Sequence, residues 1–327
     1  MRSFLIGLLC IVSNAISCIG DNGNSVDNWF LIKQPKGFTY MYSDPGVMWR
    51  ASLYTLNSTR AGALGVTLGQ LWESSNDYIM FNDEPLGVNV SSAIGHTKAI
   101  WAWSGNTGFI LTHSVPLFPA GPSLVMNYTG LGGNAYTYAQ HMACFSTTTP
   151  ELNRLAIMAA LTYPGVYDSR LGGETPSGLR DLANGVRNKN SFCNHTWFQT
   201  LGGSNITYFA KSSQWNNELY AECVAPVLKT SIVVESWIRG SVEGPYCGLY
   251  AVLDAKLLNF STGRWKESQD HSKWAVGIGS YWICVGDINR MLSQYGRGGS
   301  AFCYEDAIMA EVLNNAVIST DSCSIDY

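Results

Sequence analysis

Two stretches of this chain begin with the same triplet and run to the same length. His96-Thr97-Lys98 is followed by an apolar run from Ala99 to Trp103, a polar turn at Ser104-Gly105-Asn106-Thr107-Gly108, and a second apolar run ending in His113-Ser114. His271-Ser272-Lys273 is followed by Trp274-Ala275-Val276, a turn at Gly277-Ile278-Gly279, the run Tyr281 to Val285, and then Gly286-Asp287-Ile288-Asn289. His96 to Ser114 spans 18 positions, and His271 to Asn289 spans 18 as well. Each stretch reads as strand, Gly-rich turn, strand. Equal spacing at two places predicts duplicated halves that each supply half of one site.

The triplet carries a chemical meaning. In extended backbone, residues two apart face the same way, so each triplet offers an imidazole and an ammonium to one small anionic group. An imidazole can attack phosphorus or move a proton, and the ammonium offsets charge on the phosphoryl oxygens. A single His-x-Lys is a common surface accident; two in repeated positions are not. The histidines lie 175 positions apart, so only the fold can bring them together.

A duplicated His-x-Lys with a polar residue closing the next strand resembles the phospholipase D superfamily. More narrowly, the chain resembles the deoxyribonuclease II family of acid endonucleases. The matching pieces are Gly20-Asp21-Asn22-Gly23, Val26-Asp27, Trp29-Phe30, Gly95 to Lys98, Gly108-Phe109 and His113-Ser114-Val115-Pro116 with Phe118-Pro119. They continue through Thr162-Tyr163-Pro164, Val166-Tyr167, Asp270 to Trp274, Cys284 to Asp287, Asn289-Arg290, Arg297-Gly298-Gly299 and Cys303. The wider superfamily carries an Asp five residues after the Lys. Here those positions hold Trp103 and Ile278, a departure the acid endonucleases share.

The resemblance implies an α/β (mixed α+β) phospholipase D-like fold: two pseudo-symmetric halves, each with a central sheet flanked by helices, and one site at their interface. It implies catalysis by His96, Lys98, His113, His271 and Lys273 without metal or cofactor. One imidazole would attack phosphorus and the other would protonate the departing oxygen, leaving 3′-phosphate ends. Ser114 and Asn289 could bind phosphate or orient an imidazole. Asp270 and Asp287 could fix a ring, or Asp270 could cap a turn. Arg290 and Arg297 are candidate phosphate contacts, with ordinary ion pairs as the alternative. His141 and His195 have no repeat partner and read as structural or surface residues. The partner implied is DNA, bound largely without regard to sequence; a homodimer also fits the resemblance. Two other readings stay open: a catalytically silent secreted protein that binds DNA or a host molecule, and a phosphodiesterase acting on lipid head groups. The intact motif pair argues against the first, and the full-length match against the second.

The first residues read as a secretory signal, with Arg2, the apolar run Phe4 to Val12, and a cleavage pattern at Ala15-Ile16-Ser17. No other stretch reads as a membrane helix, so the mature chain is expected to be soluble, lysosomal or extracellular. Cys10 falls in the signal, leaving eight cysteines. An even set in an exported chain argues for disulfides, but the sequence alone leaves 105 pairings. The resemblance implies Cys18–Cys144, Cys247–Cys323 and Cys284–Cys303, which leaves Cys193 and Cys223 to each other. Sequons at Asn57, Asn89, Asn127, Asn194, Asn205 and Asn259 fit the same compartment and are expected on surface loops. The net charge of −4 argues against a tight, non-specific DNA binder. It allows a local basic cleft, or work at acid pH where protons raise the charge.

The halves are expected at 18–168 and 204–327, after a signal at 1–17 and with a connection at 169–203. Strands are expected at Trp29 to Ile32, Phe38 to Tyr42, Tyr78 to Phe81, Ser231 to Trp237 and Gly248 to Leu258. Thr149 reads as the N-cap of a helix with Pro150 at its first position and a stripe of Leu152, Leu155, Ala156, Ala159 and Ala160. Further helices are expected near Ser213 to Val224 and at Glu305 to Val317.

Overall fold

A computed structural model describes residues 15–323 except 74, 86 and 88–92. Most of the expected signal and the sequon at Asn89 lie outside the described residues. The first half contains β1 (Cys18–Ile19), β2 (Ser25–Val26), β3 (Asn28–Lys33), β4 (Thr39–Asp44), β5 (Val47–Thr55), α1 (Gly62–Gly69), β6 (Asp77–Phe81), β7 (Ala99–Ser104), β8 (Thr107–His113), α2 (Asn134–Thr137), β9 (Gln140–Thr148), α3 (Thr149–Ala159), β10 (Val166–Arg170) and α4 (Ser177–Ala183). The second contains β11 (Cys193–Gln199), β12 (Asn205–Lys211), α5 (Ala225–Leu228), β13 (Ile232–Glu235), β14 (Val252–Phe260), β15 (Gly263–Lys266), β16 (Trp274–Gly277), β17 (Trp282–Gly286), β18 (Gly299–Glu305), α6 (Ala307–Ala316) and β19 (Val317–Thr320).

Two large sheets result. The first runs β10-β6-β7-β8-β9-β3-β4-β5; the second runs β11-β12-β18-β17-β16-β13-β14-β15, with β19 joined to β14. In these sheets the described pairings are antiparallel except that of β13 with β14. The two motif stretches form equivalent hairpins, β7 with β8 and β16 with β17, near the middle of their sheets. This is the mixed α/β fold with two similar halves that the resemblance implied.

The motif strands are apolar without alternation because both faces of each sheet are covered. On β7, Ala99, Trp101 and Trp103 enter the core between the halves, while Ile100 and Ala102 enter a second core on the far side of the first sheet. On β16, Trp274 and Val276 point to the shared core and Ala275 to a third core behind the second sheet. Helices α3 and α6 supply Leu152, Leu155, Met309 and Leu313 to the shared core. Burying each such side chain contributes about 1.5–3 kcal/mol. One continuous apolar layer therefore welds the two halves, and β17 packs on β8 and β9 beneath the motif ends.

Several boundaries differ from expectation. The cap of α3 is Thr148, whose side chain accepts from the Glu151 N–H at 3.4 Å, one residue earlier than expected. The second-half helix is broken into a 3-10 turn at Ser213–Trp215, a π-helix at Tyr220–Val224 and the short α5, because Asn216 enters the left-handed region and the buried Glu218 then caps a new start by accepting the N–H groups of Tyr220 and Ala221. The polar stretch at 169–203 is no bare connection. It holds α4, and β11 pairs along its whole length with β12, so the second sheet begins before residue 204. Ile16 and Ser17 are buried, and the Ile16 N–H donates to Thr107 Oγ1 at 3.0 Å, so packed structure begins ahead of the expected cleavage point. Asn57, Asn127, Asn194, Asn205 and Asn259 are exposed, but the last three lie on strands and not loops. Disulfides join Cys18–Cys144, Cys193–Cys223, Cys247–Cys323 and Cys284–Cys303, the four expected pairs.

Candidate active site

Each His-x-Lys lies just before a central strand and is held by the opposite half. The His96 N–H donates to the Gly298 carbonyl at 2.8 Å, and the His271 N–H donates to the Ala139 carbonyl at 2.9 Å. The Lys273 N–H donates to Nδ1 of the buried His141 at 3.0 Å, so that histidine is structural. The backbone approaches so closely here that a Cβ on Gly95 or Gly298 would strike the Thr162 carbonyl. Glycine before the first motif is thus a packing requirement.

His96, Lys98, His271 and Lys273 line one cavity of about 280 Å³, together with Ser114 and Asn289. Arg239 and Arg297 add two more cations to its wall. His96 Nδ1 contacts the Asp287 carbonyl, which can only accept, and lies 3.5 Å from Lys98 Nζ, which can only donate; the closer carbonyl contact favours a hydrogen on Nδ1. The His271 ring is clamped between Tyr138 of the first half, centroids 4.2 Å apart, and Trp237 of the second, 3.7 Å apart. His271 Nε2 and Asn289 Oδ1 are buried and have no protein partner. The four cations on this wall are what an anionic ligand would satisfy, whereas Asn289 Oδ1 can only accept and would need a hydroxyl or water.

The cations shape the titration of the site. Burial and then Lys273, Lys98, Arg239 and Lys33 push His271 down to about 2. Burial and Lys98 hold His96 well below the ordinary imidazole value, with Asp83 pulling the other way. Burial and Lys98 also lower Lys273 to about 7. In the free site burial and the cations therefore disfavour a second proton on either imidazole and ease the discharge of Lys273. A phosphodiester entering the cavity would bring negative charge that reverses part of each shift.

Asp83 is the residue the sequence reading passed over. Its side chain is 3% exposed and ion-paired with Lys98, and it meets Arg297 Nη2 at 3.1 Å and His96 Nε2 at 3.7 Å. Burial pushes its carboxyl up, but Lys98, His96 and Arg297 together hold it below the usual range. The Asn82-Asp83-Glu84-Pro85 turn presents it: Asn82 is fully buried, donates to the Val115 carbonyl at 3.1 Å and accepts from the Glu84 N–H at 3.0 Å. Neither spacing nor residue type separates this turn from an ordinary one. Trp237, Tyr138 and Arg239 were likewise invisible, since each reads as an unremarkable aromatic or surface cation.

Of the remaining expected residues, Ser114 and Arg297 reach the cavity wall and the others lie outside it. Ser114 lines it and bonds Gln140 at 2.5 Å. His113 lies behind Lys98, giving its N–H to the Lys98 carbonyl at 3.2 Å, taking the Val115 N–H on Nδ1 and stacking on Phe118. Burial holds it well below the imidazole range. Asp270 accepts from the Ser272 N–H and the Trp265 indole, each at 2.7 Å, and so fixes the turn into the second motif. Asp287 gives its carbonyl to His96 and its carboxylate to Ser300. Arg290 is buried against Asp254 at 2.6 Å and Glu218 at 3.8 Å, and the cation lining the cavity from this region is Arg297. His195 is exposed on β11.

Comparison with known proteins identifies the family. The family model described as deoxyribonuclease II matches residues 17–323. Deoxyribonuclease-2-alpha of Mus musculus is 32% identical over 331 residues, covering 93% of this chain and 92% of the mouse protein. Deoxyribonuclease-2 of Caenorhabditis elegans is 32% identical, covering 97% of both. Plancitoxin-1 of Acanthaster planci is 31% identical, covering 98% of this chain and 96% of its own.

Proposed function

The chain belongs to the deoxyribonuclease II family and is a deoxyribonuclease, and on that premise we propose that it is an acid endonuclease working through a phosphohistidine without a metal ion. The single observation supporting this reading is the cavity where the two His-x-Lys pairs meet. One imidazole attacks phosphorus while the other gives a proton to the departing 5′ oxygen. The second imidazole then draws a proton from water, which hydrolyses the phosphohistidine and leaves 3′-phosphate and 5′-hydroxyl ends. Lys98 and Lys273 hold the nonbridging oxygens as charge develops. His113 supports Lys98 from behind, Ser114 and Asn289 face the phosphate, and Asp270 and Asp287 hold the segments on which the motifs ride. The enzyme is read as lysosomal or extracellular, with four disulfides and exposed sequons as support. Among the described residues no helix is long and apolar enough to cross a membrane.

Acid pH serves this chemistry twice. The depressed imidazoles need a proton supply, and Lys273 loses its charge as pH rises through about 7. Activity is therefore expected to fade towards neutrality, and to fall again at still lower pH once both imidazoles are charged. Nicking of supercoiled plasmid at pH 5 in EDTA tests the reading. We expect nicking in EDTA, its loss in His96→Ala and in His271→Ala, and no hydrolysis of phospholipid vesicles. A requirement for Mg²⁺, or near-normal nicking by either variant, rejects the mechanism.

A further inference from the structure

The two motifs match in sequence but not in surroundings. His96 has Nδ1 on the Asp287 carbonyl and Nε2 facing the Asp83 carboxylate at 3.7 Å. A carboxylate opposite a bare lone pair is repelled; opposite an N–H it is attracted. Of the charged groups acting on His96, Lys98, Lys273 and Arg297 oppose a second proton and Asp83 favours it. His271 has no such neighbour among its leading influences, which are burial and the cations Lys273, Lys98, Arg239 and Lys33. Its ring is fixed by Tyr138 and Trp237, and its Nε2 has no protein partner.

Resting on the two-step reading above, we propose that His271 Nε2 is the attacking nitrogen, that His96 is the acid, and that Asp83 is a positioning residue keeping the transferable proton on His96. The nitrogen of His271 bonds to phosphorus as the bond from phosphorus to the 5′ oxygen breaks. The electron pair goes to that oxygen, which takes the proton from His96 Nε2. Water then attacks phosphorus, the P–N bond breaks with its pair returning to His271, and the proton of water goes to His96.

A change of leaving group tests the assignment. Thymidine 3′-(p-nitrophenyl phosphate) replaces the 5′ oxygen with a phenolate that departs without a proton. Asp83→Asn and His96→Asn should each lose about 100-fold on DNA, the scale of a general acid, and far less in the first release of p-nitrophenolate. With the acid also gone as base for hydrolysis, His96→Asn should give a burst of about one equivalent and hold a thymidine 3′-phosphoryl group on the peptide containing His271. His271→Asn should give no burst. Matching circular dichroism and melting curves keep the comparison among folded proteins. A burst in His271→Asn with the thymidine 3′-phosphoryl group on His96 overturns the assignment and leaves the two-step reading standing. DNA cleavage with no phosphoenzyme in any variant overturns both. Equal loss by Asp83→Asn on the two substrates removes Asp83 from the proton path.

Discussion

Arg290 and Arg297 are close in sequence and opposite in circumstance. Arg290 is fully buried, with Asp254 at 2.6 Å and Glu218 at 3.8 Å, while Arg297 lines the cavity and meets Asp83. Removing Arg290 would strand two buried carboxylates. Arg290→Met should therefore lower the unfolding free energy by about 3–5 kcal/mol in urea titrations, the usual cost of breaking a buried pair. The KM of its folded fraction for DNA should stay within about twofold of the parent. Arg297→Met should do the reverse, raising KM while costing less stability than Arg290→Met, because Arg297 is itself partly exposed and Lys98 still pairs the buried Asp83. Comparable KM effects from the two variants would restore Arg290 as a phosphate contact. The sequence could not separate these arginines, because what differs is the carboxylates the fold delivers to each.

At the scale of elements, the hairpin β17–β18 carries Asn289 and Arg297 of the cavity wall. Cys284 and Cys303 face each other across it, 19 residues apart in sequence, and close the loop holding Asp287, Asn289 and Arg297. Closing a loop of that size should stabilise the fold by roughly 3 kcal/mol in the chain-entropy description. The paired change Cys284→Ser with Cys303→Ser should lower stability by about that amount, read from a urea midpoint. No loss would mean that sheet pairing alone fixes the loop. Elements with a strong period or a repeat were readable in advance: both motif hairpins, β6, the stripe of α3 and the position of α6. Those set by tertiary contacts were not. β11 looked like polar linker because its residues are mostly exposed on an edge strand. The helix before β13 looked continuous because nothing in its sequence reveals that Asn216 would turn left-handed and Glu218 would cap a fresh start. Within the site, the repeated pairs were legible and their counter-ion Asp83 was not.

The whole molecule is balanced for acid. Burial raises Glu218 to about 7, Asp254 and Asp287 to about 6, and also raises Glu235 and Asp270. These groups bind more protons folded than unfolded between their ordinary values and the raised ones, so they add stability as pH falls through about 7 to 4. Burial lowers His96, His113, His141 and His271. These bind fewer protons folded than unfolded below about 6.5, so they remove stability over much the same window. The two sets oppose each other until the unfolded carboxylates also protonate. The melting temperature should therefore vary little between about pH 5 and 6.5 and drop below about pH 4. A steep fall between pH 6.5 and 5 would mean the buried imidazoles dominate.

The mutual clasp of the two motifs carries a consequence of its own. Each histidine's amide is tied to a carbonyl of the other half, and an apolar layer joins the sheets. Yet Cys18–Cys144 lies wholly in the first half and the other three disulfides wholly in the second. The exposed stretch 189–191 lies between them. A protease cutting there would turn one polypeptide into two that no covalent bond connects. The pair should stay together, because each piece holds the other's motif by a backbone hydrogen bond and shares its apolar layer, and should come apart only on denaturation. On the proposed mechanism neither piece would act by itself, so the molecule would behave as a two-key device built from a single polypeptide.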